Sequence, residues 1–167
     1  MPAKSDLAQL NCSLAKALSL VGDWWTLLIV RDAFFGASRF GEFQASLGIA
    51  RNILASRLDR LVEAGVLRRG GAPHRPLYKL TEKGRGLLPA LVALQQWGDA
   101  WTADAGAPIV VTDAEGCAVE PVALRSAGGP VDASNVRFLA GPGATPRTRA
   151  FLAMAGAGRR ENGPPAA

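Results

Sequence analysis

The amino-acid sequence predicts a mainly helical α+β fold in which one small β-hairpin lies between amphipathic helices. Apolar residues recur at spacings of three and four over 7–21, 50–64 and 87–101, which is the period of an α-helix. A glycine- and proline-rich stretch, GGAPHRP (70–76), separates two short strand-like pieces and predicts their turn. The chain has 167 residues. This length suits one domain with an appendage, since domains run to roughly 100–200 residues.

The first two helices follow from apolar patterning. Residues 7–21 carry a single apolar stripe, so we expect one continuous helix that ends before Gly22. The next run, WWTLLIVRDAFF (24–35), is apolar nearly all round, which predicts a buried helix ending at Gly36. The two tryptophans at its start are expected to anchor the core.

A pair of shorter helices is predicted next. Ser38 is a candidate N-cap for the helix 39–47, and Gly48 ends that helix. The following helix, 50–64, ends at Gly65. Its core side is predicted to carry Ile53, Leu54, Leu58, Leu61 and Val62. Its outward side is predicted to carry Arg51, Asn52, Ser56, Arg60 and Glu63.

A hairpin and a long helix complete the first part of the chain. The hairpin strands are predicted at 66–69 and 77–80. Thr81 is a good N-cap for a helix that reaches about residue 103. Pro89 lies inside this helix and is expected to kink it, because proline removes a backbone hydrogen bond.

Glycine and proline become more frequent after Gly106. A β-ribbon is predicted around the turn 113–116, and a short helix is predicted at 148–155. The predicted segments are a first domain (1–104), a small ribbon-like extension (105–157) and a disordered tail (158–167).

Residue counts exclude several classes of protein. Two cysteines and one histidine are too few for a disulfide framework or a conventional zinc site, so we expect no metal and no cofactor. We find no nucleophile with a positioned base, no paired carboxylates and no phosphate-binding glycine loop, so we expect no enzyme. The N-terminus has no signal-peptide pattern, and no apolar run is long enough to span a bilayer, which predicts a cytoplasmic protein without a membrane partner.

Positive charge is concentrated in one part of the sequence. Residues 36–85 contain 10 Lys and Arg against 4 Asp and Glu. A focused positive charge of this kind suits a polyanion, and a membrane surface is the weaker alternative.

The element order and the charge together predict a winged helix-turn-helix that binds double-stranded DNA. Arg51 and Asn52 begin the helix 50–64, and the N-terminal residues of a recognition helix commonly meet base edges in the major groove. The hairpin 66–80 is the wing, which lies on the backbone or in the minor groove. The candidate DNA contacts are Arg39, Arg51, Asn52, Ser56, Arg57, Arg60, Arg68, His74 and Arg75.

Two other interpretations remain open. The polar side of 50–64 could be an ordinary solvated helix face, and His74 an ordinary loop histidine. A winged helix can also serve as a protein–protein interaction module whose basic face binds an acidic partner.

Residues 12–101 resemble the HxlR-type winged helix-turn-helix regulators of bacteria, a MarR-like branch. The resemblance is carried by Cys12 and by the segments GDWWT (22–26), Arg39-Phe40, 54–58, YKLTEKG (78–84) and Trp97-Gly98. It implies a homodimeric transcription factor, with repression as the expected effect, on a pseudo-palindromic operator. The sequence departs from the family at Ala50 and Arg51, where a serine-proline start is usual, so the operator cannot be taken from relatives.

The resemblance also concerns the two apolar helix faces and the cysteines. The stripes 7–21 and 87–101 could pack on each other in one protomer, but a homodimer is expected to bury them. Cys12 occupies the position of a thiol that can sense oxidants or electrophiles, and the alternative is a small residue buried under the dimer helices. An apolar effector could bind near Trp97. In the extension, Glu115, Arg125 and Gly128 stand where related ribbons have thiolates, which predicts a metal-free remnant.

Overall fold

The structure, a computed structural model, describes residues 4–161. Its helices and strands are α1 (Lys4–Gln9), α2 (Ser13–Val21), α3 (Trp24–Phe34), α4 (Phe40–Leu47), α5 (Arg51–Glu63), β1 (Leu67–Ala72), β2 (Arg75–Leu80), α6 (Glu82–Arg85), α7 (Leu88–Thr102), β3 (Arg125–Ser126), β4 (Gly129–Pro130) and α8 (Pro146–Glu161). The described residues are mostly helical with two small antiparallel sheets, which confirms the predicted fold class.

The chain divides into two compact units. One is Ala17–Val122, and the described part of the other consists of residues 4–16 and 123–161. These limits differ from those of the domains expected at 1–104 and 105–157, and that division stays a prediction.

The core of the unit Ala17–Val122 is formed by α3, α4, α5 and the hairpin. Its fully buried apolar side chains are Ile29, Val30, Phe43, Leu54, Leu58, Leu61, Val66 and Leu67. Burying each such side chain stabilises the fold by roughly 1.5–3 kcal/mol. The buried helix predicted at 24–35 is confirmed, and Gly36 follows it with a φ of 101°. The prediction for Trp24 is wrong, because this side chain is 75% exposed, whereas Trp25 packs against the core.

The helix predicted at 7–21 is interrupted. The structure has α1 and α2 with a break at residues 10–12. Asn11 lies in this break and bonds to the chain around α8. Its Oδ1 accepts from Thr145 N at 3.0 Å and from Thr148 Oγ1 at 2.8 Å, and its Nδ2 donates to Gly143 O at 3.1 Å. These bonds to residues distant in sequence accompany the break, and apolar periodicity gives no sign of them.

The wing hairpin is longer than predicted. β1 and β2 pair from Leu67 opposite Leu80 to Ala72 opposite Arg75, so the turn has only two residues, Pro73 and His74. The prediction that all of GGAPHRP forms the turn is therefore wrong. Gly71 allows the longer pairing because it has a φ of 79°, and a Cβ there would lie 2.9 Å from Arg75 O.

A third segment joins the hairpin. Tyr78 N donates to Ser38 O at 2.7 Å, and Arg39 forms an antiparallel bridge with Leu77. The residues just before α4 are thereby hydrogen-bonded to β2.

The long helix predicted after Thr81 is two helices. Thr81 is confirmed as an N-cap, since its Oγ1 accepts from Gly84 N at 3.1 Å. The chain then leaves the helix at Gly86, and α7 begins at Leu88 with Pro89 in its first turn. The kink predicted at Pro89 is wrong because proline is tolerated at a helix start, where its missing N–H has no partner to lose.

Between α7 and α8 the chain has little regular structure. The ribbon predicted around the turn 113–116 has one bridge, between Thr112 and Ala118. Gln96 of α7 holds this segment by donating to Glu120 O at 3.2 Å and accepting from Val122 N at 2.8 Å.

In the other unit, the helix predicted at 148–155 is α8, Pro146–Glu161. Residues 158–161 of the predicted tail are thus helical, and residues 162–167 lie outside the described residues. Over residues 4–161, no helix by itself has the length and hydropathy to cross a membrane, although α2 and α3 taken together as a bent pair do.

Candidate nucleic-acid interface

The helix-turn-helix is formed by α4, a three-residue turn and α5. Gly48 ends α4 in the left-handed conformation, with a φ of 61°, and its N–H donates to Gln44 O. Ile49 is buried under the turn, and Ala50 is the N-cap of α5 without a side-chain hydrogen bond. An alanine cap leaves the first N–H groups of α5 without a capping side chain.

One side of α5 is buried and the other is exposed. Leu54, Leu58 and Leu61 are buried, as predicted. The exposed residues are Arg51, Asn52, Ile53, Ser56, Asp59 and Glu63, while Arg57 and Arg60 are half-buried. Ile53 was predicted to face the core, but it is 37% exposed because it lies at the edge of the buried stripe. The exposed side therefore begins with a basic residue and an amide.

Arg51 is held by two residues of α4. Its guanidinium carbon lies 5.1 Å from the ring centroid of Phe40, and its Nη1 donates to Gln44 Oε1 at 3.3 Å. Stacking on an aromatic face and a hydrogen bond together restrict the side chain while leaving donors of the guanidinium for another partner. Arg51 is thus oriented by α4 as well as by its own helix.

Arg57 is bound to a carboxylate. Its Nε donates to Asp23 Oδ1 and its Nη2 to Asp23 Oδ2, both at 3.0 Å. This bidentate pair joins α5 to the residue that precedes α3. The role of Arg57 as a DNA contact stays a prediction. A phosphate would have to compete with the Asp23 carboxylate for this guanidinium.

Arg39 is exposed and immediately precedes α4. The predicted cap Ser38 is replaced as N-cap by Arg39, and Glu42 supplies the acceptor. Glu42 Oε2 accepts from Ser38 N at 2.7 Å and from Arg39 N at 2.9 Å. These bonds, the one from Ser38 N first, hold the pKa of Glu42 below its ordinary value.

The wing carries the other predicted contacts. Arg68 is exposed on β1, His74 is exposed in the turn, and Arg75 is exposed at the start of β2. Arg69 pairs with Asp59 of α5 at 3.6 Å and lies 5.9 Å from the ring centroid of Tyr78. Both side chains of this ion pair are more than half exposed, so it holds α5 to the wing only weakly.

Cys12 lies in the other unit. It is exposed and not in a disulfide, and it lines a cavity of about 370 Å³ together with Asn11, Ser13, Lys16, Thr148 and Leu152, among others. Cys12 is exposed in the single chain, and its burial under the helices of a dimer stays the alternative prediction. Within residues 4–161, no group of three or more His, Cys, Asp or Glu side chains could hold a metal ion.

The sequence reasoning missed three residues that hold the predicted ones. Phe40 and Gln44 lie in the predicted short helix 39–47, and Asp23 lies between the first two predicted helices, where no role was assigned to it. The sequence held a signal for Asp23. An acidic residue just before a helix interacts favourably with the helix N-terminus, and its carboxylate can accept hydrogen bonds from an arginine. No comparable signal existed for Gln44, which lies seven residues before Arg51 and meets it only because of the turn.

Comparisons with known proteins agree with this geometry. The family model for the HxlR-like helix-turn-helix matches residues 20–105. Rv3095 of Mycobacterium tuberculosis, an uncharacterized HTH-type transcriptional regulator, is 53% identical over 90 residues, which are 52% of this chain and 57% of the relative. The chain thus spans little more than half the length of that relative. The HTH-type transcriptional regulator YodB of Bacillus subtilis is 33% identical over 52% of this chain and 80% of its own.

Two solved structures have a similar fold over most of the chain. PA1607, assigned as a transcription factor, has a TM-score of 0.74 and 42% identity over 80% of this chain and 97% of its own. PA1374 of Pseudomonas aeruginosa, with the same assignment, has a TM-score of 0.61 and 36% identity over 84% and 99%. The fold and the exposed helix α5 agree with the family model and with these relatives. The chain therefore belongs to the HxlR-like helix-turn-helix family of transcriptional regulators.

Proposed function

We propose that this chain is a sequence-specific DNA-binding repressor that acts as a homodimer on a pseudo-palindromic operator. In this proposal α5 enters the major groove, and the hairpin β1–β2 lies on the backbone or in the minor groove. The observation that carries the proposal is the exposed, oriented Arg51 at the first residue of α5, with Asn52 beside it. Arginine can bind guanine bidentately, and asparagine can bind adenine.

The remaining contacts are assigned by position. Ser56 lies one turn after Asn52 and is small enough for close approach to the bases. The groups proposed to bind phosphates or the minor groove are Arg39, Arg60, Arg68, His74 and Arg75. Phosphate contacts fix the register of the protein on the duplex, whereas base contacts supply sequence specificity.

The proposed homodimer is supported by exposed apolar side chains on α7. Trp97 is 58% exposed, Trp101 is 76% exposed, and Leu94 on the same helix is also exposed. Large apolar groups in one patch mark an interaction surface, because leaving them in water is unfavourable. A two-fold dimer through this patch would present two copies of α5, which for successive major grooves must be about 34–36 Å apart.

DNA binding is tested by selecting duplexes from a random pool and then titrating the selected operator. Arg51→Ala is expected to weaken operator binding, since a bidentate base contact contributes about 1–3 kcal/mol of discrimination. Arg149→Ala, which removes the same charge from α8, is the matched control and should bind like the original chain. If no duplex is enriched and all DNA binds weakly, the chain is better described as a protein–protein interaction module.

The dimer is tested by sedimentation. Trp97→Glu places a charge in the proposed interface and is expected to give monomers that keep the helical circular dichroism of the original chain. A Trp97→Glu protein that sediments as a dimer contradicts this interface.

Repression is proposed because a dimer bound at a promoter excludes polymerase. A cytoplasmic location is proposed because a regulator of this kind acts on the chromosome there. A reporter under the selected operator should be more active when the gene for this chain is deleted. Lower reporter activity after deletion would indicate an activator.

Cys12 is proposed as a sensor of oxidants or electrophiles because it is exposed and lies next to a cavity. Treatment with peroxide or a quinone should release the original chain from its operator but not Cys12→Ser. Cys117→Ser removes the other exposed cysteine and should respond like the original chain. Equal release of all three proteins removes the thiol and leaves a non-covalent apolar effector as the candidate signal.

A further inference from the structure

We propose that Asp23 and Arg57 are a positioning pair that fixes the rotation of α5, so that Arg57 contributes to DNA recognition through the helix and not by binding phosphate. This inference rests on the proposed function, because it concerns how the recognition helix is presented to DNA. It adds Asp23 to the residues on which specificity depends and changes the role assigned to Arg57.

The geometry of the pair is that of a fixed link. Both Asp23 oxygens are used, each by a different nitrogen of the same guanidinium at 3.0 Å. The Asp23 side chain is only 19% exposed, and the Arg57 side chain is only 23% exposed. A bidentate arginine–carboxylate pair constrains direction as well as distance, and partial burial reduces the screening that weakens surface ion pairs.

The carboxylate is placed by rigid backbone. Asp23 is the N-cap of α3, yet its side chain makes no capping hydrogen bond and is turned to Arg57 instead. The preceding residue, Gly22, is closely packed, since a Cβ there would lie 2.5 Å from Leu18 O. Helix α3 itself is anchored in the core by Ile29 and Val30. Asp23 is therefore a fixed point relative to the core.

Helix α5 needs such a fixed point. Its fully buried side chains form one stripe, Leu54, Leu58 and Leu61, with Val62 partly buried beside it. Apolar contacts are not directional, so a single stripe resists rolling of the helix only weakly. Successive side chains lie about 100° apart around a helix, so Arg57 projects to the flank of the stripe and links that flank to α3. A binding site must hold its groups to within about 0.5 Å or 10–20°, and a small roll would exceed this at Arg51.

The alternative is that Arg57 leaves Asp23 and binds a phosphate directly. The two roles predict opposite effects of Asp23→Asn. If Arg57 positions α5, weakening the pair disorders the helix orientation and lowers operator affinity. If Arg57 binds phosphate, the same substitution releases its guanidinium from a competitor and raises operator affinity.

The experiment measures fluorescence anisotropy with the operator selected by the original chain and with a scrambled duplex, at several salt concentrations. Asp23→Asn is compared with Asp59→Asn, which removes one negative charge from the exposed pair with Arg69 and matches the change in net charge. Arg57→Lys is the third variant, because lysine keeps the charge but cannot make the bidentate pair. Thermal unfolding of each variant is recorded, and binding is compared where every protein is folded.

The positioning role predicts that Asp23→Asn and Arg57→Lys each lose about tenfold in operator affinity, the equivalent of one base contact. Binding of Asp23→Asn to scrambled DNA should match that of Asp59→Asn, which has the same net charge, and binding of Arg57→Lys to scrambled DNA should match that of the original chain. Asp59→Asn should bind the operator equally or more tightly than the original chain. A variant that had only lost its fold would bind both the operator and scrambled DNA less tightly. A loss confined to the operator therefore indicates positioning and not unfolding.

The proposal is overturned if Asp23→Asn binds the operator as tightly as Asp59→Asn, or if Arg57→Lys retains full operator affinity. A direct phosphate contact would also appear in Arg57→Ala as a salt slope smaller by about 0.9. Failure of the original chain to prefer the operator over the scrambled duplex would instead refute the proposed function, so the two failures are distinguishable.

Discussion

The guanidinium of Arg51 stacks on the ring of Phe40, with 5.1 Å between the guanidinium carbon and the ring centroid. The ring belongs to the first helix of the helix-turn-helix, and the arginine is the first residue of the second. A side chain that is already ordered loses less conformational entropy when it binds, so under the proposed function this contact would favour DNA binding by preorganisation.

Gln44 is expected to share in this preorganisation. Gln44→Ala removes the hydrogen bond to Arg51 Nη1 and should lower operator affinity by about 0.5–1.5 kcal/mol, the net value of a hydrogen bond. The loss should be concentrated at the base pair read by Arg51, which a set of single-base operator variants would reveal. Ser46→Ala, an exposed change on the same helix, should leave the affinity profile unchanged. A uniform loss across all base pairs would contradict a role through Arg51.

Gly84 is expected to tolerate no side chain. A Cβ at this position would collide with Val66 O and lie 3.0 Å from Leu80 Cδ2. Gly84→Ala should therefore destabilise the protein by about 1–3 kcal/mol, as over-packing does. Gly41→Ala in α4 is the matched control, because no atom lies within 4 Å of the added Cβ. This change should stabilise the helix by about 0.5–1 kcal/mol. Denaturant unfolding of both variants measures the difference, and equal midpoints would refute the prediction.

Thr81 joins the hairpin to the helix that follows. Its Oγ1 accepts from Gly84 N and donates toward Gly65 O, at 2.6 Å. Thr81→Ala should cost about 1 kcal/mol or more of unfolding free energy, because an N-cap and a carbonyl partner are lost together. Thr81→Ser keeps the hydroxyl and should recover most of that loss. If serine is as destabilising as alanine, the methyl group and not the hydroxyl is responsible.

Stability is expected to depend on the charge of Glu42. Its carboxylate accepts hydrogen bonds from two backbone N–H groups, and these bonds lower its pKa in the folded state below the ordinary 4.5. A group whose pKa is lowered by folding stabilises the protein above its unfolded pKa, and that contribution is lost as the pH falls through the folded pKa. The stability advantage of the original chain over Glu42→Gln should thus be full at neutral pH and shrink below pH 4.5. Unfolding measured from pH 7 to pH 3 tests this, and a difference independent of pH would contradict it.

The sequence was sufficient for the features that depend on local pattern. The buried stripe of α5 follows from the spacing of Leu54, Leu58 and Leu61, and the cap at Thr81 follows from a hydroxyl beside a helix start. Charge concentration and the family resemblance located the exposed basic helix.

Contacts between distant residues could not be predicted in the same way. The ion pair between Asp23 and Arg57 joins positions 34 residues apart, and nothing in either local sequence names the other partner. Pro89 was misjudged because its effect depends on whether it lies inside a helix or at its start, a boundary that Gly86 decides. Ile53 shows the same limit, since apolar character does not tell which edge of a stripe is covered.

The hydrogen bond from Tyr78 N to Ser38 O has a mechanical consequence. Force applied to the hairpin tip, for example by a duplex pressing on His74, is carried along β2 into Ser38 and Arg39, which directly precede α4. Amide hydrogen exchange at Tyr78 therefore reports whether the tip and the helix-turn-helix separate. Slower exchange at Tyr78 in the presence of bound duplex would show that this link tightens when the tip is loaded.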